Sequence, residues 1–208
     1  LEEAMVVLKN EVEPKIMEQL PNDGDIFYTG TADKLTTAII NMTGSFLLAI
    51  TILYLLMSAM FRSFKDSLLV ILAIPLATFG GILALNLMNL VTFQAMDLLT
   101  MIGFIILLGL VVNNAILLVY QARTAEKNGI SRRDSVKEAV LLRSRPIMMS
   151  TLTSIFGMLP LIIIPGPGTE LYRGLAVVIV GGMIVSTLFT LILLPSLLRI
   201  GEENSFVR

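Results

Sequence analysis

Gly109-Leu110-Val111-Val112-Asn113-Asn114-Ala115-Ile116-Leu117-Leu118-Val119-Tyr120 sets two adjacent carboxamides inside an apolar run, residues 98 to 120. At about 1.5 Å of rise per residue, a helical run of that length crosses about 30 Å of hydrocarbon. Lipid offers an amide no hydrogen bond, so each carboxamide has to face protein or a wet cavity. Gly109 lies four residues before Asn113 on nearly the same face, which lets another helix approach closely there. Asn114 points about 100° away from Asn113, so the two amides serve different neighbours.

Working outward, four more runs meet the same criterion, at about residues 38–61, 68–88, 146–164 and 175–198. The composition agrees: 55% of the 208 residues are hydrophobic, 15% are charged and the mean hydropathy is +0.85, far more apolar than a water-soluble domain requires. The expected fold class is therefore membrane all-α, with five transmembrane helices. There is no Cys and no His. That removes disulfide frameworks, thiolate nucleophiles, Cys/His zinc sites and Ser-His-Asp chemistry together, and no enzyme or cofactor is expected. Twelve Met suit soft metals, but Met148 and Met149 are adjacent and diverge on a helix while the others are scattered, so no metal site is assigned. No phosphate-cradling loop and no nucleic-acid surface is visible.

Charge in the loops orients the spans. The loop of residues 121 to 145 holds seven basic residues against three acids, and Arg62 and Lys65 lie in the first loop, whereas residues 89 to 97 contain no basic residue. By the positive-inside rule the two basic loops are cytoplasmic. The segment before the first span, with eight acids against Lys9, Lys15 and Lys34, is then extracytoplasmic, and the tail at residues 201–208 is cytoplasmic. Within the basic loop Asn128-Gly129 signals a turn, Ser131 a cap and Asp134 a weak capping box. Val136, Ala139, Val140 and Leu142 then form an apolar stripe, predicting a separate amphipathic helix over about 131–144 on the cytoplasmic surface. Pro146 follows as a first-turn residue of the fourth span.

Before the spans, Ala4, Leu8, Val12 and Ile16 recur at helical spacing, Pro14 would kink or divide that helix, and Ile26 to Thr29 is a strand candidate. Residues 1–31 read as the end of an extracytoplasmic α/β domain and 32–200 as the membrane domain. The chain opens at Leu1 inside a charged, helix-like pattern, and we expect it to be the C-terminal part of something longer.

No Asp, Glu, Lys or Arg lies in the central part of any span. A proton-driven carrier ordinarily needs a titratable group there, so such a group is expected outside these residues. Asn113 and Asn114 can act as glue between helices or border a hydrated ion path. In the fourth span, Ser150 and Ser154 at i and i+4 can line a polar seam, although hydroxyls also bond back to their own helix. Gly157 and Pro160 would permit a bend or close packing there, and Gly181-Gly182 close helix contact in the last span.

These residues resemble the C-terminal part of inner-membrane permeases of the resistance-nodulation-division (RND) superfamily, most closely its hydrophobe/amphiphile efflux branch. The likeness runs over nearly the whole chain: Tyr28-Thr29-Gly30, Phe61-Arg62-Ser63-Phe64, Ile74-Pro75-Leu76, Gly109 to Leu117, and Arg143-Ser144-Arg145-Pro146-Ile147-Met148-Met149-Ser150 in that order. The resemblance implies the last five of twelve transmembrane helices, preceded by the tail of a periplasmic porter domain. It implies a proton-driven exporter of hydrophobic or amphiphilic compounds in the bacterial inner membrane. Its partners would be membrane lipid, two further copies in a homotrimer, a periplasmic adaptor protein and an outer-membrane channel. Well-studied multidrug members carry a Lys where this chain has Asn113, paired with carboxylates on a helix of the first half. They carry a Thr where this chain has Ser150, and an Arg at Arg143. The resemblance thus marks Asn113, Asn114, Ser150 and Arg143 as positions of a proton-relay network. Relatives of this fold also serve as lipid sensors, membrane scaffolds and protein-export auxiliaries, which are the rival expectations.

Overall fold

The computed structural model describes residues 8–17, 31–94, 96–164, 166 and 168–199. The strand candidate at residues 26–29 and the tail at 201–208 lie outside them. The chain divides into two compact units, Leu1–Ser45 and Phe46–Arg208. In the first, a π-helical turn at Leu8–Val12 leads into helix α1, Glu13–Met17. Pro14 accounts for that join, because its ring crowds the carbonyl four residues back while its missing N–H costs nothing in a first turn. Helix α2, Thr31–Phe61, begins here and runs into the second unit.

Every regular element among the described residues of the second unit is a helix. After α2 the chain turns at Arg62, which adopts φ 54°, and Ser63 caps α3, Phe64–Ile71, by accepting from the Asp66 N–H at 3.3 Å. Helix α4, Ala73–Asn89, follows after Leu72. Pro75 explains this break, since a proline there crowds the carbonyl of Ile71 and gives it no donor. Asp97 caps α5, Leu98–Lys127, its Oδ1 accepting from the Thr100 N–H at 2.8 Å and from the Thr100 hydroxyl at 2.7 Å. Asn128 ends that helix, Gly129 takes φ 87°, and Ser131 caps α6, Arg132–Ile163. The last span comprises α7, Thr169–Leu188, a π-helical turn at Phe189–Leu193, and α8, Leu194–Arg199.

Among the described residues, five stretches are long and apolar enough to cross a membrane: Ile40–Phe61, Phe64–Asn89, Leu98–Lys127, Arg132–Ile163 and Thr169–Arg199. The expected all-α membrane architecture is the observed one. One expectation is corrected: residues 131–144 are not a helix separate from the fourth span, because Arg132–Ile163 is a single helix with Pro146 and Pro160 inside it. Pro146 is exposed, so a local bend that relieves its ring against the Leu142 carbonyl meets no packed neighbour. The helix also forfeits the donor to that carbonyl, and propagation past one lost bond is easier than a new nucleation. At about 1.5 Å per residue the helix is about 48 Å long and overshoots the hydrocarbon.

Helix α7 and helix α5 are the most enclosed spans, α2 and α6 the least. Where α4 crosses α7 both sides are glycine. A Cβ on Gly80 would sit 2.8 Å from the Gly181 carbonyl, and one on Gly181 would sit 2.7 Å from the Gly80 carbonyl. A Cβ on Gly182 would collide with Leu107 of α5. Without side chains the backbones meet directly, which is how membrane helices gain contact in a solvent as apolar as their own surfaces. Val111, Ala115, Leu118, Val178, Ile179 and Met183 are fully or almost fully buried in the same core.

Candidate functional site

Helices α5 and α6 are antiparallel neighbours joined by a short turn, and the polar residues of the central stretch meet near their shared face. Asn114 is buried, 5% exposed. The Ser150 hydroxyl lies 3.5 Å from its Oδ1, at the outer limit of a hydrogen bond, and donates to its own helix at the Ile147 carbonyl at 2.9 Å. Asn113, one residue earlier, points out of the chain and is exposed, as is Ser150. The structure thus places the two amides in different surroundings, one within the chain and one on its outer surface.

Gly109 is also exposed, and no packed neighbour among the described residues lies within 4 Å of where its Cβ would be. Gly157 on α6 is open in the same way. From the level where Asn114 meets Ser150, Gly109 is five residues up α5 and Gly157 seven residues along α6 in the opposite chain direction. In antiparallel helices both lie toward the same membrane surface, about 7 and about 10 Å from the amides. The result is a strip on a membrane-embedded face that is polar at one level, through Asn113 and Ser150, and stripped of side chains at the next. Within this chain Gly109 admits a close approach that no described residue uses.

Arg143 stands about two turns from Ser150 along α6, toward the basic loop, and its Nη2 donates to Gln121 Oε1 of α5 at 3.1 Å. Its Nε is buried without a hydrogen-bond partner. Arg143 is therefore held on the α5 side, in line with Asn114 and Ser150 but not in contact with them among the described residues. Gln121 had no part in the sequence expectations; its signal is that it follows Asn114 by seven residues on the same face of α5.

Two further polar groupings had not been read from the sequence. Thr151, next to Ser150 but facing the other way, shares a hydrogen bond of 3.0 Å with Thr187 of α7, and both are buried. At the basic end of the bundle, Arg123 of α5 donates from Nε to Asp66 Oδ2 of α3 at 2.8 Å, with a second bond from Nη2 to Oδ1, and from Nη1 to Glu126. Arg132 of α6 lies 3.7 Å from Glu126 and donates at 2.8 Å to the Leu198 carbonyl, capping the end of α8. Loop charge alone indicates the side of the membrane; the pairing requires the fold.

The model of the AcrB/AcrD/AcrF family matches residues 6–201. The multidrug resistance protein MdtC of Photorhabdus laumondii subsp. laumondii is 38% identical over 169 residues, which are 81% of this chain and 16% of that protein. MdtC of Yersinia pseudotuberculosis serotype O:1b is 37% identical over the same share. Among solved structures, a heavy metal efflux pump superposes with a TM-score of 0.74 at 27% identity, covering 94% of this chain and 19% of that one. The chain thus spans about a sixth of the length of the curated relatives it matches. Five membrane helices, a family match over nearly the whole chain and a shared fold place this chain in the AcrB/AcrD/AcrF family of RND permeases.

Proposed function

We propose that the chain serves as the closing five-helix part of a proton-driven secondary transporter that exports hydrophobic or amphiphilic compounds across the cell envelope. The observation that carries this is the outward strip of α5 and α6: an exposed Asn113 and Ser150 beside two open glycines, on helices that have to lie in lipid. An amide left facing hydrocarbon is costly, so the strip is made to be covered by a polar helix that comes close at Gly109 and Gly157. The titratable group that a proton-driven carrier requires is absent from the central parts of these spans, and the covering helix is where it would sit. Asn113 would then hydrogen-bond to that carboxylate without supplying a charge, Asn114 and Ser150 would hold the level of the contact, and Arg143 would set the field toward the basic end.

In this arrangement the basic loops face the cytoplasm, residues 1–31 close a periplasmic porter domain, and the working unit is a homotrimer in the inner membrane that joins a periplasmic adaptor and an outer-membrane channel. The family membership and the multidrug relatives support it. The test is Asn113→Leu in the full-length protein, assayed for dye efflux and for assembly. Efflux should fall to background while expression and oligomeric state stay unchanged. Efflux at the wild-type rate would show that Asn113 only packs.

A further inference from the structure

Two buried hydroxyls of the last span have no partner among the described residues. Ser186 Oγ and Thr190 Oγ1 are both in residues 0% exposed, and neither makes a hydrogen bond. A hydroxyl in a helix ordinarily bonds back to the carbonyl a turn earlier, as Thr153 does to Met149 and Ser196 to Ile192. An unsatisfied hydroxyl in a dry interior is unfavourable, and such groups in native folds are normally met by buried water.

The backbone at this point is irregular for an identifiable reason. Pro195 has no N–H to return to the carbonyls of the preceding turn, and its ring crowds the carbonyl of Leu191. The chain widens into the π-helical turn Phe189–Leu193, where the Leu194 N–H reaches back to the Phe189 carbonyl. In the wider register it is the carbonyl of Thr190 that Pro195 leaves without a donor. The Thr190 hydroxyl lacks a partner and Pro195 can give none to its carbonyl in that register, one turn beyond Ser186 on the same side of the helix.

Thr187 lies within about 100° of both around the helix, and its hydroxyl is bonded to Thr151 of α6. Thr151 is the chain neighbour of Ser150, which approaches Asn114. Two polar pairs thus occupy adjacent positions of α6, one toward α5 and one toward the last span, where the Ser186 and Thr190 hydroxyls bond to nothing among the described residues. The oxygens are neutral hydroxyls and a carbonyl with no carboxylate among them, a set that suits water rather than a divalent cation.

We propose that Ser186, Thr190 and the Thr190 carbonyl form an internal water site, and that this site is a hydrated branch beside the Asn114–Ser150 and Thr151–Thr187 pairs. The water site stands on the packing alone; its role as a branch rests on the proton-path reading above.

Radiolytic hydroxyl labelling reads bound water inside proteins directly, and Met183 and Phe189, 1% and 3% exposed, are reactive reporters beside the site. In the full-length protein both should label despite their burial. Labelling should fall at least about threefold in Ser186→Ala/Thr190→Val, with the same assembly and unfolding midpoint within a few degrees. Background labelling in the wild type, or labelling that the double variant leaves unchanged, would overturn the site. A raised unfolding midpoint in Thr190→Val would do so too, because a methyl replaces a dry hydroxyl favourably but deprives a bound water of its partner. For the branch, efflux should slow severalfold in Thr190→Val and recover in Thr190→Ser. Lost labelling with wild-type efflux would refute the branch and leave the Asn113 proposal standing. Conversely, a silent Asn113→Leu with intact labelling would sink that proposal and not the water site.

Discussion

Replacing Asp66 by asparagine tests whether the basic end of the bundle is held by one specific ion pair. Asp66 has a side chain 7% exposed and takes two bonds from Arg123, whose side chain is 19% exposed. Removing one partner from a buried pair costs about 3–5 kcal/mol, mainly because the other charge stays buried and uncompensated. Here Arg123 keeps its bond to Glu126, part of its surface meets solvent, and the carboxamide oxygen of the variant can still accept one bond. We therefore expect a loss of about 2 kcal/mol, smaller than for a fully buried pair. For a unit of about 150 residues that is a fall in unfolding midpoint of about 4–8 °C. The assay is a double-mutant cycle, Asp66→Asn and Arg123→Gln alone and together, on the purified full-length protein in detergent. The cycle should show a coupling of about 1–2 kcal/mol that survives roughly 1 M salt, since buried pairs are little screened. Coupling within about 0.5 kcal/mol of zero, or coupling abolished by salt, would mean that the two charges act as independent surface groups and that the geometry at α3 and α5 is not what fixes this end.

Gly181→Ala should destabilise by about 1–3 kcal/mol, because its new Cβ would meet the Gly80 carbonyl, which cannot move aside, and the measurement is the same unfolding midpoint. Gly109→Val should leave the packing of these five spans intact while lowering efflux in the full-length protein; an active variant would show that no helix comes close there. Asn114→Leu should differ from Asn113→Leu by lowering the unfolding midpoint as well as efflux, since Asn114 is enclosed beside Ser150 and Asn113 is not. A reporter fused after Asn128 should give a cytoplasmic signal, and a periplasmic one would reverse the orientation drawn from the basic loops.

Apolar length and cap chemistry made the spans readable. Hydrocarbon thickness demands a minimum run, and Asn128-Gly129 and Ser131 announce helix ends by their own local bonding, whereas the Asp97 cap was not read. What misled was Pro146, because a proline is a good first-turn residue and an allowed interior one, and only the room around it decides. Periodicity cannot tell a surface helix from the first turns of a longer one when both present an apolar stripe toward the same neighbour. Of the site, the divergence of Asn113 and Asn114 followed from about 100° of rotation per residue. Their assignment did not, since which of two faces is enclosed depends on where α6 lies. Thr187, Gln121 and the Asp66–Arg123 pair were illegible for the same reason: each is defined by a residue 22 to 57 positions away.

The placement of polar groups separates two jobs that the sequence runs together. Toward α7, polarity is used sparingly and is paired or set beside a proline-widened turn: Thr151 bonds with Thr187, and Ser186 and Thr190 flank the turn. Toward the outside, Asn113 is left exposed on α5 next to glycines that meet nothing. If both amides served only as glue between these helices, the outward one would be a liability in lipid, and a leucine there would cost the chain nothing. An amide at that position makes physical sense only with a polar surface against it. The enclosed seam and the exposed strip meet at Ser150, which is exposed and approaches the buried Asn114.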